Sequence, residues 1–184
     1  MNTPRRIGLT SKITAALWLI AALAVTFQAP SNIAAADELE LKKVGEARLR
    51  VFLWSIYNSR LYTPSGSYRE GDRPLRLEIE YLINVRRAAL VERTGDEWDA
   101  MGRRHPHKEV WLTRLNELWP DIQEKDVLSI ELDGENRSTF FYNGERLGRI
   151  EDPDFGPQFV DIWLSEDSTR PALREALLGD SEAN

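Results

Sequence analysis

Residues 46 to 56 alternate in polarity with period two. Ala47, Leu49, Val51, Leu53 and Ser55 fall on one side, and Glu46, Arg48, Arg50, Phe52, Trp54 and Ile56 on the other. Such alternation predicts a strand with one dry face and one mixed face. The chain stays extended to Tyr62, and Thr63-Pro64-Ser65-Gly66-Ser67 predicts a turn. Leu75, Leu77, Ile79, Tyr81 and Ile83 then alternate with Arg76, Glu78 and Glu80, which is the cleanest strand pattern in the chain.

The period changes between Val85 and His105. Thr94 and Glu97 stand three apart, as in a capping box, which predicts that one helix ends near Arg93 and another starts after Thr94. From Pro106 to Trp119 a second helical stretch carries Val110, Trp111, Leu115, Leu118 and Trp119 on one stripe, and Pro120 stops it. Alternation returns over Val127–Leu132, followed by an Asp133-Gly134 turn. Thr139–Tyr142 and Glu145–Ile150 flank Asn143-Gly144, a strong hairpin signal because a type I′ turn needs φ > 0 at both central positions. Asp152-Pro153 predicts a helix start that turns Phe155, Phe159 and Ile162 or Trp163 inward. Ser168 or Thr169 would cap a last helix with Pro171 in its first turn, Leu173, Leu177 and Leu178 as its apolar side and Gly179 as its end. Strands, helices, a hairpin, then helices describe an α+β fold with a mostly antiparallel sheet.

The first 36 residues read differently. Arg5, Arg6 and Lys12 precede an apolar run from Ile13 to Phe27, and Ala34-Ala35-Ala36 offers small side chains for a cleavage pocket. This is the pattern of a secretory signal peptide cleaved after Ala36. The run is shorter than the roughly 20 apolar residues of a spanning helix. Arg5-Arg6 also suggests a twin-arginine signal, although Gly8 stands where that signal carries a bulky apolar residue. The expected product is periplasmic or secreted, without a stable membrane anchor. It would hold one domain over residues 37–179 and a frayed tail over 180–184.

Composition narrows the function. With 24 Lys+Arg against 30 Asp+Glu the net charge is −6, and it deepens to −9 once the three leader cations are gone. That balance argues against nucleic acid as a partner and against a polybasic membrane patch. There is no Cys, so disulfides and thiolate chemistry are out. His105-Pro106-His107 supplies at most two ligands where a metal needs three or four, so no metal and no cofactor are expected. No phosphate loop or nucleophile elbow occurs. Trp98, Trp111, Trp119 and Trp163, at helical spacing, suit a core. Arg48 and Arg50 share a strand face with Phe52 and Trp54. A guanidinium beside aromatic walls can hold an anion whose remainder is apolar. The same spacing fits two arginines on the solvent side, lying over Trp54.

A resemblance adds to these readings. Val44-Gly45-Glu46-Ala47-Arg48, the run Trp54 to Tyr62, Pro74-Leu75 to Tyr81, and Asn143-Gly144 with Gly148 and Ile150 resemble the chalcone-isomerase-like family, in its bacterial exported branch. So do Phe159 to Ser165, Thr169 to Arg174 and Leu177-Leu178-Gly179. The resemblance implies an open-faced β-sandwich: a large antiparallel sheet under a layer of helices, with a ligand cleft between them. Plant members catalyse an intramolecular conjugate addition in which an arginine stabilises negative charge. Others bind fatty acids through an arginine and a tyrosine. Carried onto this chain, Arg48 is the family arginine, with Arg50 as the fallback. Tyr57 falls where the fatty-acid branch has its tyrosine, and Tyr62 matches the aromatic closing that strand. Tyr81 ends the matched third strand. Trp98 occupies the position of the isomerase's active-site tyrosine, and His105 that of an asparagine. An indole lacks the hydroxyl's acidity and acceptor. The expected ligand site is therefore Arg48, Arg50, Tyr57, Tyr62, Tyr81 and Trp98. It would bind a small hydrophobic anion such as a fatty acid or an aromatic acid. The alternatives are an isomerase acting on an α,β-unsaturated ketone, and an envelope module that holds a protein partner.

Overall fold

A computed structural model of the chain describes residues 40–179, and the leader and the tail lie outside them. Six strands follow one another: β1 (Lys42–Val51), β2 (Trp54–Thr63), β3 (Leu75–Tyr81), β4 (Val127–Leu132), β5 (Ser138–Tyr142) and β6 (Glu145–Ile150). They pair in chain order, every pair antiparallel, as an open meander. Four helices complete the domain: α1 (Arg87–Ala100) and α2 (Lys108–Leu118) between β3 and β4, then α3 (Phe155–Leu164) and α4 (Pro171–Leu177) after β6. The α+β class and the mostly antiparallel sheet read from the periodicity, and the open sheet under helices that the resemblance implies, are those of the structure.

Register sorts the side chains onto two faces. Ser59 lies opposite Ile79, and Leu61 opposite Leu77, which in turn faces Ile130. These residues are buried, and the helices cover them. Alternate positions form a charged outer face. Arg60 pairs with Glu80 and lies 3.9 Å from Glu78, while Arg76 pairs with Glu131 and also approaches Glu78. Helix α4 lies against β1 and β2. Gly45 permits that approach, since a Cβ there would stand 2.5 Å from the Ala176 carbonyl oxygen and 2.6 Å from that of Leu177. Trp98, Trp111, Phe140, Phe155 and Phe159 meet mostly edge to face at 5.5–6.4 Å, filling the interior beneath the helices.

Three local expectations change. The alternation over 46–56 is not one strand: Phe52 and Leu53 form a tight turn, and Val51 pairs with Trp54 across it. Helix α1 runs unbroken through Thr94. The Thr94 hydroxyl donates to the Leu90 carbonyl 2.9 Å away, one turn back, and so serves the helix interior rather than a new cap. Helix α3 begins at Phe155, and Asp152 does not cap it with its side chain. The Asp152 carboxylate instead accepts the Trp111 indole N–H at 3.0 Å and bonds His107 Nδ1 at 2.8 Å, tying the start of α2 to the loop after β6.

Candidate functional site

A cavity of about 460 Å³ lies between the inner face of the sheet and helices α1, α3 and α4. Its floor is apolar, with Leu49, Leu77, Ile79, Leu128 and Ile130 from the strands. Leu90, Phe159, Ile162 and Leu173 close it from the helices. Val51, Ala89 and Arg93 border it and are themselves solvent-exposed, so the cavity reaches the surface between the β1–β2 turn and α1.

Polar groups enter at one region of this wall. The Tyr57 hydroxyl accepts the Trp163 indole N–H at 2.9 Å. No described residue accepts the proton of that hydroxyl, which leaves it a free donor beside the cavity. Burial pushes the Tyr57 phenol up to about 12, against the pull of the Trp163 N–H and with the push of the Glu97 carboxylate. The group therefore stays protonated at any physiological pH. Tyr81 packs edge-on against Tyr57 at 6.0 Å, and burial raises its phenol as well.

Glu97 is only 8% exposed and fully engaged. One carboxylate oxygen accepts from Arg93 at 2.5 Å and the other from the Thr169 hydroxyl at 2.6 Å. Arg170 stands differently. It lies just before α4, borders the cavity, and its guanidinium pairs with no carboxylate among the described residues. Its charge bears on Tyr57 by lowering the phenol's pKa, so the two groups share one neighbourhood. Glu97, Arg93, Thr94 and Ser129 also border the cavity, the Glu97 carboxylate being taken up by Arg93 and Thr169. A half-buried unpaired cation and a free hydroxyl donor on a mostly apolar wall match an anion carrying an apolar tail.

Of the six residues expected at a ligand site, Tyr57 and Tyr81 border this cavity and four do not. Arg48 is exposed on the outer face, where its Nε donates to the Asn58 side-chain oxygen at 2.7 Å. The register explains this: Arg48 lies opposite Asn58, whose face looks away from the helices, whereas Leu49 lies opposite Tyr57 and looks inward. Arg50 is exposed beyond a register shift next to Leu49. Tyr62 sits on the outer face opposite Arg76. Trp98 is 0% exposed, a core residue whose indole donates to the Gln158 carbonyl at 3.0 Å. His105 stacks on Trp111 at 4.2 Å, away from the cavity. Among the described residues no His, Asp and Glu cluster is placed to hold a metal. Sequence reasoning missed Arg170. Its only mark was a place in the Thr169-Arg170-Pro171 helix entry, and that an arginine lacks a partner depends on distant neighbours.

Three comparisons bear on the fold. The family profile described as chalcone isomerase-like matches residues 23–179. An uncharacterized protein of Haemophilus influenzae is 27% identical over 142 residues, covering 77% of this chain and 69% of that protein. The crystal structure of an Arabidopsis thaliana fatty-acid binding protein superposes with a TM-score of 0.58 at 13% identity, over 76% of this chain and 87% of that one.

Proposed function

This chain belongs to the chalcone isomerase-like family, and on that footing we propose that it is a non-catalytic binding protein for a small apolar anion such as a fatty acid or an aromatic acid. Arg170 is the counter-ion and the Tyr57 hydroxyl the second donor to the head group, while the sheet floor and the helical wall take the tail. The observation that carries this reading is the unpaired Arg170 guanidinium bordering an apolar cavity of about 460 Å³, a volume within the range of small-molecule sites. The structural neighbour named for fatty-acid binding supports the same class of ligand. Absence of catalysis is supported by Trp98, which stands in the core where the resemblance puts an active-site tyrosine.

Calorimetry with dodecanoate and dodecanol tests the reading. The acid binds and the alcohol does not, and Arg170→Gln weakens the acid about tenfold or more, the size of a lost charge-assisted hydrogen bond. Equal binding of acid and alcohol, or an unchanged Arg170→Gln, overturns it. Incubation with 2′-hydroxychalcone leaves its absorbance unchanged, whereas turnover would make the protein an isomerase.

The compartment belongs to the same reading. The basic start, the apolar run 13–27 and the small residues before Asp37 support export with cleavage after Ala36. N-terminal sequencing of the protein recovered from its native host reads Asp37 first; a chain still beginning at Met1 refutes export by cleavage.

A further inference from the structure

Val51, Phe52, Leu53 and Trp54 are one run of exposed apolar side chains at the β1–β2 turn. Phe52 is 95% exposed, Leu53 97% and Trp54 71%. The other strongly exposed large apolar residue among those described, Val110, stands alone on α2. Folding does not account for this tip. Phe52 has φ 54°, the left-handed region that costs a bulky residue about 1–2 kcal/mol, and its ring touches too little of the protein to return that cost. A turn selected for stability alone would carry Gly or Asn there. Strain kept together with exposed apolar surface points to a partner.

Three exposed arginines lie on β1 and at the head of α1, the two elements that meet at the cavity's mouth beside the tip. Arg50 is exposed beside it on β1. Arg86 and Arg87 open α1, whose Ala89 borders the same cavity as Val51. Asp121 accepts the Arg87 backbone N–H at 2.8 Å. None of the three guanidinium groups pairs with a carboxylate among the described residues. We propose that the β1–β2 tip docks reversibly on an anionic lipid bilayer, with Phe52 and Leu53 inserted at the acyl boundary, Trp54 at the headgroup level, and Arg50, Arg86 and Arg87 against lipid phosphates.

A bilayer fits better than a second copy of the chain. A four-residue tip is far smaller than the roughly 1,200–2,000 Å² that a stable protein interface buries. Two such tips facing each other would also bring six unpaired arginines together. Phe, Leu and Trp beside exposed arginines are the side chains that favour the membrane interface. The net charge of −9 for the chain beginning at Asp37 does not oppose this: an anionic surface repels the acidic remainder and so orients the tip toward itself. Docking there brings the cavity's opening, beside Val51 and Ala89, to the lipid surface.

The species to test is the chain beginning at Asp37. It contains the whole described core, and it lacks the apolar run 13–27 that would bind vesicles by itself. Co-sedimentation is measured with phosphatidylglycerol–phosphatidylcholine vesicles and with phosphatidylcholine alone. The chain partitions onto the anionic vesicles. Phe52→Gly with Leu53→Ser, which suits the turn and keeps the fold, reduces partition about tenfold or more. Arg50→Gln with Arg87→Gln reduces it about fivefold per arginine on anionic vesicles only. Failure to partition, equal partition of the turn variant, or self-association abolished by that variant overturns the proposal. Dodecanoate binding, measured on the same turn variant, stays unchanged because neither Phe52 nor Leu53 borders the cavity. Its failure in the wild type would strike the ligand reading and leave docking standing.

Discussion

Two hairpins close the sheet's two ends, and they are built on opposite terms. At the β5–β6 turn, Asn143 and Gly144 have φ 50° and 86°, residue types for which positive φ carries little penalty. Asn143 also donates its amide to Asp126 at 2.9 Å and accepts the Val127 N–H at 2.8 Å, and the Tyr142 hydroxyl reaches Asp126 at 2.5 Å. Every part of that turn serves folding. At the β1–β2 turn a phenylalanine takes the positive φ, a leucine follows it, and both side chains face water. Where local chemistry and backbone agree, the element is structural. Where they conflict and the conflict is retained, the element answers to something outside the fold.

The contrast can be broken at several points. The largest effect lies at the base of the β1–β2 hairpin, at Tyr57. Its folded pKa is raised, so its contribution is complete below about 10 and is lost as pH climbs toward about 12. Tyr57 accounts for a loss of about 2–3 kcal/mol in urea titrations across that window, beside the loss from the buried Tyr81, and Tyr57→Phe removes the Tyr57 share. A variant that declines as steeply as the wild type would assign the loss elsewhere. Next comes Gly144→Val, which forces a β-branched residue to φ 86° and lowers unfolding free energy by about 2 kcal/mol in urea. The mirror experiment, Phe52→Gly with Leu53→Ser, raises it by about 0.5–1 kcal/mol. Opposite signs at the two turns are the sharpest statement of the contrast, and a loss at both would erase it. The smallest effect is at Asp126. Its carboxyl is held below the usual range by the Tyr142 hydroxyl and then by the Asn143 amide. The stability it lends is present at neutral pH and fades as pH falls through that lowered value. Solvent screening keeps it to a few tenths of a kcal/mol, and Asp126→Asn flattens the acid limb of the stability curve by that much.

The same contrast explains what could be read from the residues. Leu75 to Tyr81 alternate without interruption and form β3, while Asn143-Gly144 announces its own turn. The β1–β2 turn escaped because Phe52-Leu53 carries no turn residue and the alternation continues through it. A continuous strand would leave Ile56 on the face of Arg48. The turn and the register shift beside Leu49 bring Ile56 to the cavity as well, next to Tyr57, which shares the inner face with Leu49 as simple alternation has it, while Arg48 lies on the other face. The outward side of Arg48 was thus legible in the alternation, which sets it on the face opposite to that of Leu49, and only the role carried over from the resemblance turned it inward. The capping-box spacing of Thr94 and Glu97 misled for a related reason. Glu97 is held by Arg93 and by Thr169, a residue far along the chain, so its role is tertiary rather than local.

Gly45 carries a consequence that reaches past its own strand. Its missing methyl sets how closely α4 rests on β1, and Arg170 stands at the head of that helix. The perch of the cavity's unpaired cation is thereby fixed from beneath by a hydrogen atom on the far wall. An alanine at 45 would jack the helix away from the sheet, and if Arg170 is the counter-ion proposed above, a residue that touches no ligand would calibrate how firmly one is kept.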